Sequence, residues 1–398
     1  MKRRAYLATA TAAAAAFAGC SEMTGSSDDD ENGGDGNGDE NGNGASDPID
    51  EEPGSFDEFE DLSKWHVEEG ALEADGERYY TGSQSARMIA EEGDTRVMIK
   101  REFDSPRDLS TEFPSLAFAS DTDLSVTLQL TDTDGDRLLL RTSVTADSGF
   151  VHRNFGLDRV EGEPDLSSIE HTKLSVYAGD RELSVWADDY QFVERPETGK
   201  VLLQFPDESV ALDAASTVAD YDVSATTFVT TDRVGAEGYP SVAALEDLDD
   251  DGWTIASKGA STSDLTQLSE SEQEDQLTAA ASWLADNGFE DSVFSYPLNR
   301  YDETSIELVD EHYDVGFASG YAGHGYLSNA ALAPRATNPE PDETDTLLRW
   351  AADTGTIATL SFRTLDDLEA SLEIIDDLQS EGDLEVISST DLAADYLN

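Results

Sequence analysis

The chain has 398 residues, 87 of them acidic and 24 basic, for a formal charge of −63 at neutral pH. Acidic residues run along its whole length instead of forming one block, so nucleic acid, which requires a basic patch, is excluded as a ligand. Such self-repulsion is tolerable where the Debye length shrinks to about 3 Å near 1 M salt, and the expectation is a salt-adapted protein.

The chain opens Lys2-Arg3-Arg4-Ala5-Tyr6-Leu7, a charged start followed by an alanine-rich apolar run to Ala18. That run is shorter than the roughly 20 residues of a membrane span. It ends Phe17-Ala18-Gly19-Cys20, which resembles a bacterial or archaeal lipobox, and the start resembles a twin-arginine export signal. Cys20 is the sole cysteine, so disulfides are excluded and its expected role is lipid attachment. Residues 1–20 therefore read as a lipoprotein signal peptide, with the protein anchored on the extracellular face of the cell membrane. Residues 21–54 are Asp, Glu, Gly, Asn and Ser with almost no apolar content; they cannot bury a core and read as a charged tether.

Residues 55–195 carry a β pattern. Leu124-Ser125-Val126-Thr127-Leu128-Gln129-Leu130 alternates strictly, Asp132-Thr133-Asp134-Gly135-Asp136 supplies a turn, and Leu138-Leu139-Leu140 begins the return. Leu174–Tyr177, Gly179-Asp180 and Leu183–Trp186 repeat the hairpin, and an antiparallel β-sandwich is expected. Phe59-Glu60-Asp61 with Trp65, Tyr80–Arg87 and Trp186-Ala187-Asp188-Asp189 resemble jelly-roll carbohydrate-binding modules. That resemblance implies a structural calcium shared by opening and closing acidic residues, with Glu60, Asp61 and Asp188 as candidates of the right oxygen chemistry. Tyr79, Tyr80, Trp186 and Tyr190 are the candidates for stacking on sugar rings, weighed against ordinary core packing.

From Lys200 the rhythm becomes alternating strand and helix. Strands are expected at Val201–Phe205, Ala225–Val229, Trp253–Ser257, Val293–Tyr296, Val315–Ala318, Ile357–Phe362 and Val386–Ser388. Helices are expected over Val210–Asp220, Val242–Leu248, Asp366–Leu378 and Leu392–Leu397. A capping box at Ser269–Glu272 opens a longer helix stopped by Asn287-Gly288. Residues 199–397 thus read as an α/β domain, an incomplete (β/α) barrel whose site sits at the strand C-terminal ends.

Three segments of this region carry a resemblance. Val201–Phe205 ends in Pro206-Asp207-Glu208; Thr254–Ser257 leads into Lys258-Gly259-Ala260-Ser261-Thr262-Ser263-Asp264-Leu265; a third reads Phe294-Ser295-Tyr296-Pro297-Leu298-Asn299-Arg300-Tyr301. Their order resembles the polysaccharide deacetylases of carbohydrate esterase family 4, where the motifs read T-F-D-D-G, S-H-T-x-x-H and Y-P-Y-G-x-Y. The resemblance implies a metal-dependent deacetylase frame. Its base aspartate falls on Pro206, its ligand aspartate on Asp207, its two histidines on Lys258 and Thr262, and its late acid histidine on Arg363. Pro-Arg in Ala333-Pro334-Arg335 resembles another family element, so Arg335 is placed near the site.

A catalytic divalent metal takes about three protein ligands and an open water position, and Asp207 alone cannot supply them. Neither proline nor arginine shuttles a proton at useful pH. Lys258 is expected to pair with Asp207 and replace the metal structurally. Of the histidines, His312 reads as a surface helix residue and His324 as part of a Gly-rich loop after a strand, a solvated residue or a replacement catalyst. The expectation is a protein that binds surface glycan without metal-dependent hydrolysis, through a pocket of Asp207, Lys258, Tyr296 and Arg335, with no cofactor beyond a calcium in the sandwich. Two alternatives stand beside it. One is an active deacetylase holding a transition metal, with Arg335 or Arg363 stabilising an oxyanion; the other is a structural envelope protein.

Overall fold

The computed structural model describes residues 55–179 and 181–398. The signal segment, the tether and Cys20 lie outside the described residues. Among the described residues no helix is long and apolar enough to cross a membrane.

Twelve strands come first: β1 (Ser55–Asp57), β2 (His66–Glu69), β3 (Ala71–Asp75), β4 (Ser85–Ala90), β5 (Arg96–Arg107), β6 (Glu112–Ser120), β7 (Leu124–Asp132), β8 (Arg137–Val144), β9 (Val151–Asn154), β10 (Gly156–Glu161), β11 (Ile169–Tyr177) and β12 (Leu183–Glu194). They form two antiparallel sheets, ordered β3-β4-β12-β6-β9 with β1 on β12, and β10-β8-β7-β11-β5-β2. Alternation along β7 buries Val126, Leu128 and Leu130, which share one apolar core with Met88, Phe118 and Tyr190 of the other sheet. The β7–β8 turn follows from its acidic residues. One oxygen of Asp132 accepts the backbone N–H groups of Asp134, Gly135 and Asp136 at 2.9, 2.8 and 2.9 Å. Gly135 takes φ +93°, which L side chains avoid.

The second half alternates strictly: β13 (Gly199–Phe205), α1 (Glu208–Ala219), β14 (Thr226–Val229), α2 (Val242–Asp250), β15 (Thr254–Ser257), α3 (Glu270–Asn287), β16 (Val293–Ser295), α4 (Glu303–His312), β17 (Val315–Ser319), β18 (Ala333–Thr337), α5 (Pro341–Thr354), β19 (Ile357–Ser361), α6 (Leu368–Glu381), β20 (Leu384–Val386) and α7 (Ser389–Asp395). Strands β13 to β19 pair in parallel order, and the ring closes where Gln204 and Phe205 pair with Thr226 and Thr227; β20 adds to the outer start of β13. Period two sorts the residues. Leu202, Phe228, Ala256, Phe317, Ala333 and Ile357 fill the barrel, while Val201, Leu203 and Phe205 meet the helices. The capping box of α3 is present, Ser269 N–H donating to Glu272 at 2.9 Å, and Gly288 ends the helix at φ +83°.

Strand β18 and helix α5 were absent from the sequence-based expectations. Pro334 and Arg335 interrupt the apolar signal of β18. Helix α5 presents only a narrow buried face, Thr344, Leu347, Leu348 and Ala351, among acidic residues.

The sandwich and the barrel are joined by backbone as well as by side chains. Leu157 N–H donates to Ala322 O at 2.7 Å and Tyr326 N–H to Glu194 O at 2.7 Å. Asn154 donates to the carbonyls of Asn329 (2.8 Å) and Leu332 (3.1 Å) and accepts the N–H of Ser328 at 3.0 Å. Two glycines permit the approach: a Cβ on Gly156 would stand 1.7 Å from Tyr321 O, and one on Gly325 would stand 2.6 Å from Phe113 Cβ.

Candidate functional site

The strand C-terminal ends of the barrel gather the motif residues. On β13, alternation turns Gln204 inward, and Pro206, which has no N–H for the ladder, ends the strand. Asp207 then caps α1. Its Oδ1 accepts from the N–H of Ser209 at 3.0 Å and from the Ser209 hydroxyl at 2.6 Å. Burial pushes this carboxyl up, but the Ser209 donors and the charge of Lys258 outweigh it, and the net shift is downward.

Lys258 follows β15 and crosses the mouth, its ammonium donating to the backbone carbonyl of Pro206. Lys258 and Asp207 form no close ion pair among the described residues, although each charge favours the ionised form of the other, so the expected direct pairing is corrected to a longer-range attraction. The cap engages Oδ1 of Asp207, and the lysine's hydrogen bond goes to the Pro206 carbonyl. Burial lowers the Lys258 pKa, Glu208 and Asp207 oppose that, and Arg363 and Arg335 add to it.

Glu208 was missed in the sequence. It opens α1, is buried at 4% exposure, and its Oε1 has no hydrogen-bond partner among the described residues. Burial raises its pKa against the opposing charge of Lys258. The motif comparison sets a glycine there, and no local pattern signals that its side chain turns inward.

Arg335 is buried inside the barrel, donating to Gln204 Oε1 (3.2 Å) and Ser295 Oγ (2.7 Å) over the ring of Phe228. Burial and then the charge of Arg363 pull its pKa down to about 9. Gln204 and Ser295, polar residues inside apolar strands, were the legible hint of this network. Arg363 is exposed just beyond β19, its N–H donating to Asn338 Oδ1 at 2.6 Å. Thr262 lies on the loop after β15, its hydroxyl accepting from Arg233 at 2.8 Å.

The retained frame residues support that loop. Ser257 Oγ meets the Tyr313 hydroxyl at 2.8 Å, Ser261 Oγ donates to Gln276 at 2.7 Å, and Asp264 accepts from the N–H of Thr266 at 3.2 Å. These contacts shape the backbone and are independent of what occupies the mouth.

Residues 195–313 match the polysaccharide deacetylase family model. No curated protein matches the chain. Among solved structures, a family 4 carbohydrate esterase from Bacillus anthracis is 20% identical over 50% of this chain and 84% of that one, at a TM-score of 0.36. BA3943, a family 4 pseudoenzyme from Bacillus anthracis, is 16% identical over 50% of this chain and 66% of that one, also at 0.36. An exo-β-agarase is 14% identical at a TM-score of 0.30, with 38% of this chain covering 27% of that one. The segment matching the polysaccharide deacetylase model runs from just before β13 to just past α4 and contains Pro206, Asp207, Lys258 and Thr262, while Arg335 and Arg363 follow it.

The residues present do not fit the divalent metal of a polysaccharide deacetylase. At the positions that the resemblance assigns to the two ligand histidines stand the ammonium of Lys258 and the Thr262 hydroxyl, already bonded to Arg233, while Asp207 caps a helix. Among the described residues no three His, Cys, Asp or Glu side chains gather as a metal site.

Burial corrects two other candidates, Tyr296 and His324. Tyr296 is 1% exposed, packed between the rings of Phe294 (5.2 Å) and Tyr301 (5.1 Å), and cannot touch a glycan. His324 is neither solvated nor at the mouth. It is buried beside Ile357, the first residue of β19, and burial drives its pKa down to about 4. In the sandwich, Asp188 accepts from the N–H groups of Tyr80 (2.7 Å), Thr81 (3.1 Å) and Asp189 (2.9 Å), and Glu60 from Ser83 N–H (2.6 Å). Asp61 accepts from Ser63 N–H at 3.1 Å, so the three calcium candidates each hold different backbone donors. Trp186 lies under the Arg78 guanidinium at 4.2 Å and Tyr190 is fully buried, whereas Tyr79 and Tyr80 are exposed.

Proposed function

We propose that this chain is a lipid-anchored surface protein that holds polysaccharide without hydrolysing it. The single observation that carries the reading is the Lys258 ammonium seated on the Pro206 carbonyl, across the space where a polysaccharide deacetylase needs a base and metal ligands. Two cations, Lys258 and the exposed Arg363, stand at the mouth of a chain with only 24 basic residues, above the buried Arg335, and they offer hydrogen-bond donors but no hydrolytic nucleophile. Exposed Tyr79 and Tyr80 on the sandwich are further platforms for sugar rings.

The reading is tested by incubating the full-length protein with N-acetylated chitin oligosaccharides in molar salt and measuring released acetate and retained glycan together. Retention without acetate is expected; metal-dependent acetate release contradicts it. One observation favours a second reading, a deacetylase of unfamiliar constellation. Glu208 is a buried carboxyl with a raised pKa beside the Lys258 charge, the environment in which acid–base groups are tuned. Acetate release abolished by Glu208→Gln would select that reading.

A further inference from the structure

Where the sandwich meets helix α5, a cleft of about 940 Å³ opens between the loops around Thr111 and Glu163 on one side and Arg349 and Trp350 on the other. Sites for small organic ligands typically measure about 300–1,000 Å³ and favour such junctions. The walls are held in place. Besides the backbone bonds between the two halves, Gly355 packs so closely on the linker that a Cβ would stand 2.0 Å from Pro196 O. A gap between loosely docked bodies would not be framed in this way.

Two residues lining the cleft carry buried donors that have no partner among the described residues. Arg195 is 9% exposed; its Nη2 donates to the carbonyls of Leu109 (3.2 Å) and Ser110, yet its Nε has no partner. The indole Nε1 of Trp350 is likewise buried and unpartnered. An unsatisfied buried donor costs about 1–3 kcal/mol, and such groups are uncommon in folded proteins. The cleft's charge narrows the ligand. Glu163, Asp345 and Asp353 line it with Arg349, and Arg349 is already paired to Asp345 at 2.8 Å.

We propose that this cleft is the principal glycan site and takes a short neutral or amino-substituted oligosaccharide, with the Trp350 indole as stacking platform and Arg195 as a buried donor. Aromatic faces bind the apolar faces of sugar rings, and flanking carboxylates accept hydroxyl or ammonium protons while repelling uronates. The proposal rests on the reading of this chain as a glycan binder and assigns the binding to the junction.

The test is calorimetric titration of the full-length protein in 1 M salt with tetramers of N-acetylglucosamine, glucosamine, xylose and galacturonate. One or more of the first three is expected to bind and the galacturonate tetramer to bind at least tenfold more weakly. Trp350→Ala and the cleft-filling Thr111→Trp should each weaken binding at least tenfold, Trp350→Phe should retain most of it, and Leu212→Ser, on the exposed side of α1 and outside the cleft, should leave it unchanged. Thermal melts identify any variant that fails to fold. Wild-type binding that survives both Trp350→Ala and Thr111→Trp overturns the site and leaves the glycan-binding reading standing. Preference for galacturonate overturns the assigned ligand class. Failure of the wild type to bind any tetramer overturns both the site and the reading.

Discussion

Lys258 donates its ammonium protons to the backbone carbonyl of Pro206, which bonds directly the two residues that the motif resemblance sets against a metal histidine and the base. The contact sits in the field of Glu208 and Asp207, whose charges both favour the protonated lysine. Removing it strands a carbonyl and leaves a buried carboxyl without its cation. Lys258→Ala is expected to lose about 1–3 kcal/mol of stability in denaturant titrations at molar salt. An unchanged midpoint would show that the lysine has no structural part.

The seam between the halves makes a second prediction. A Cβ at Gly156 would stand 1.7 Å from a backbone carbonyl that cannot swing aside, so Gly156→Ala must push Tyr321 and its loop away. A cost of about 1–3 kcal/mol is expected, together with separation of one calorimetric transition into two as the sandwich and barrel uncouple. A single transition at the wild-type temperature would contradict the welded seam.

Burial raises the Asp188 carboxyl from 3.8 to about 6, against three backbone donors that favour its charge. A raised acid pKa means the folded state binds more protons than the unfolded state, so this group's contribution falls as pH rises from about 4 to about 6. The melting temperature of the wild type minus that of Asp188→Asn should decline across that window and level off above it. A difference that rises with pH would place the carboxylate in a stabilising, charge-favouring site instead.

If donor chemistry alone separates this mouth from a metal site, restoring it should restore binding. The variant Pro206→Asp, Lys258→His, Thr262→His, added to native Asp207, is expected to bind one zinc per chain by equilibrium dialysis. Absence of binding would show that the loop carrying Thr262, held by Arg233 at 2.8 Å, has also moved out of ligand geometry.

Much of this was legible in the residues, where local pattern and chain chemistry agree. The alternation of β7, the acidic turn after it and the capping box of α3 are short-range devices, and each folds as its residues suggest. Strand β18 was not legible, because a proline and a buried arginine are tolerated only by partners from β13 and β16 that lie far away in sequence. The same holds for burial. Tyr296 and His324 occupy positions that read as open and are enclosed by distant segments, and Glu208 turns inward at a helix start where an acidic residue ordinarily faces solvent.

The most direct test of the central claim is a calorimetric zinc titration of the full-length wild-type protein at molar salt, repeated with Asp207→Asn. The expected result is no saturable site in either protein. One zinc bound per wild-type chain and lost in Asp207→Asn would contradict the account, since it would mean that the barrel mouth coordinates a metal despite the ammonium of Lys258.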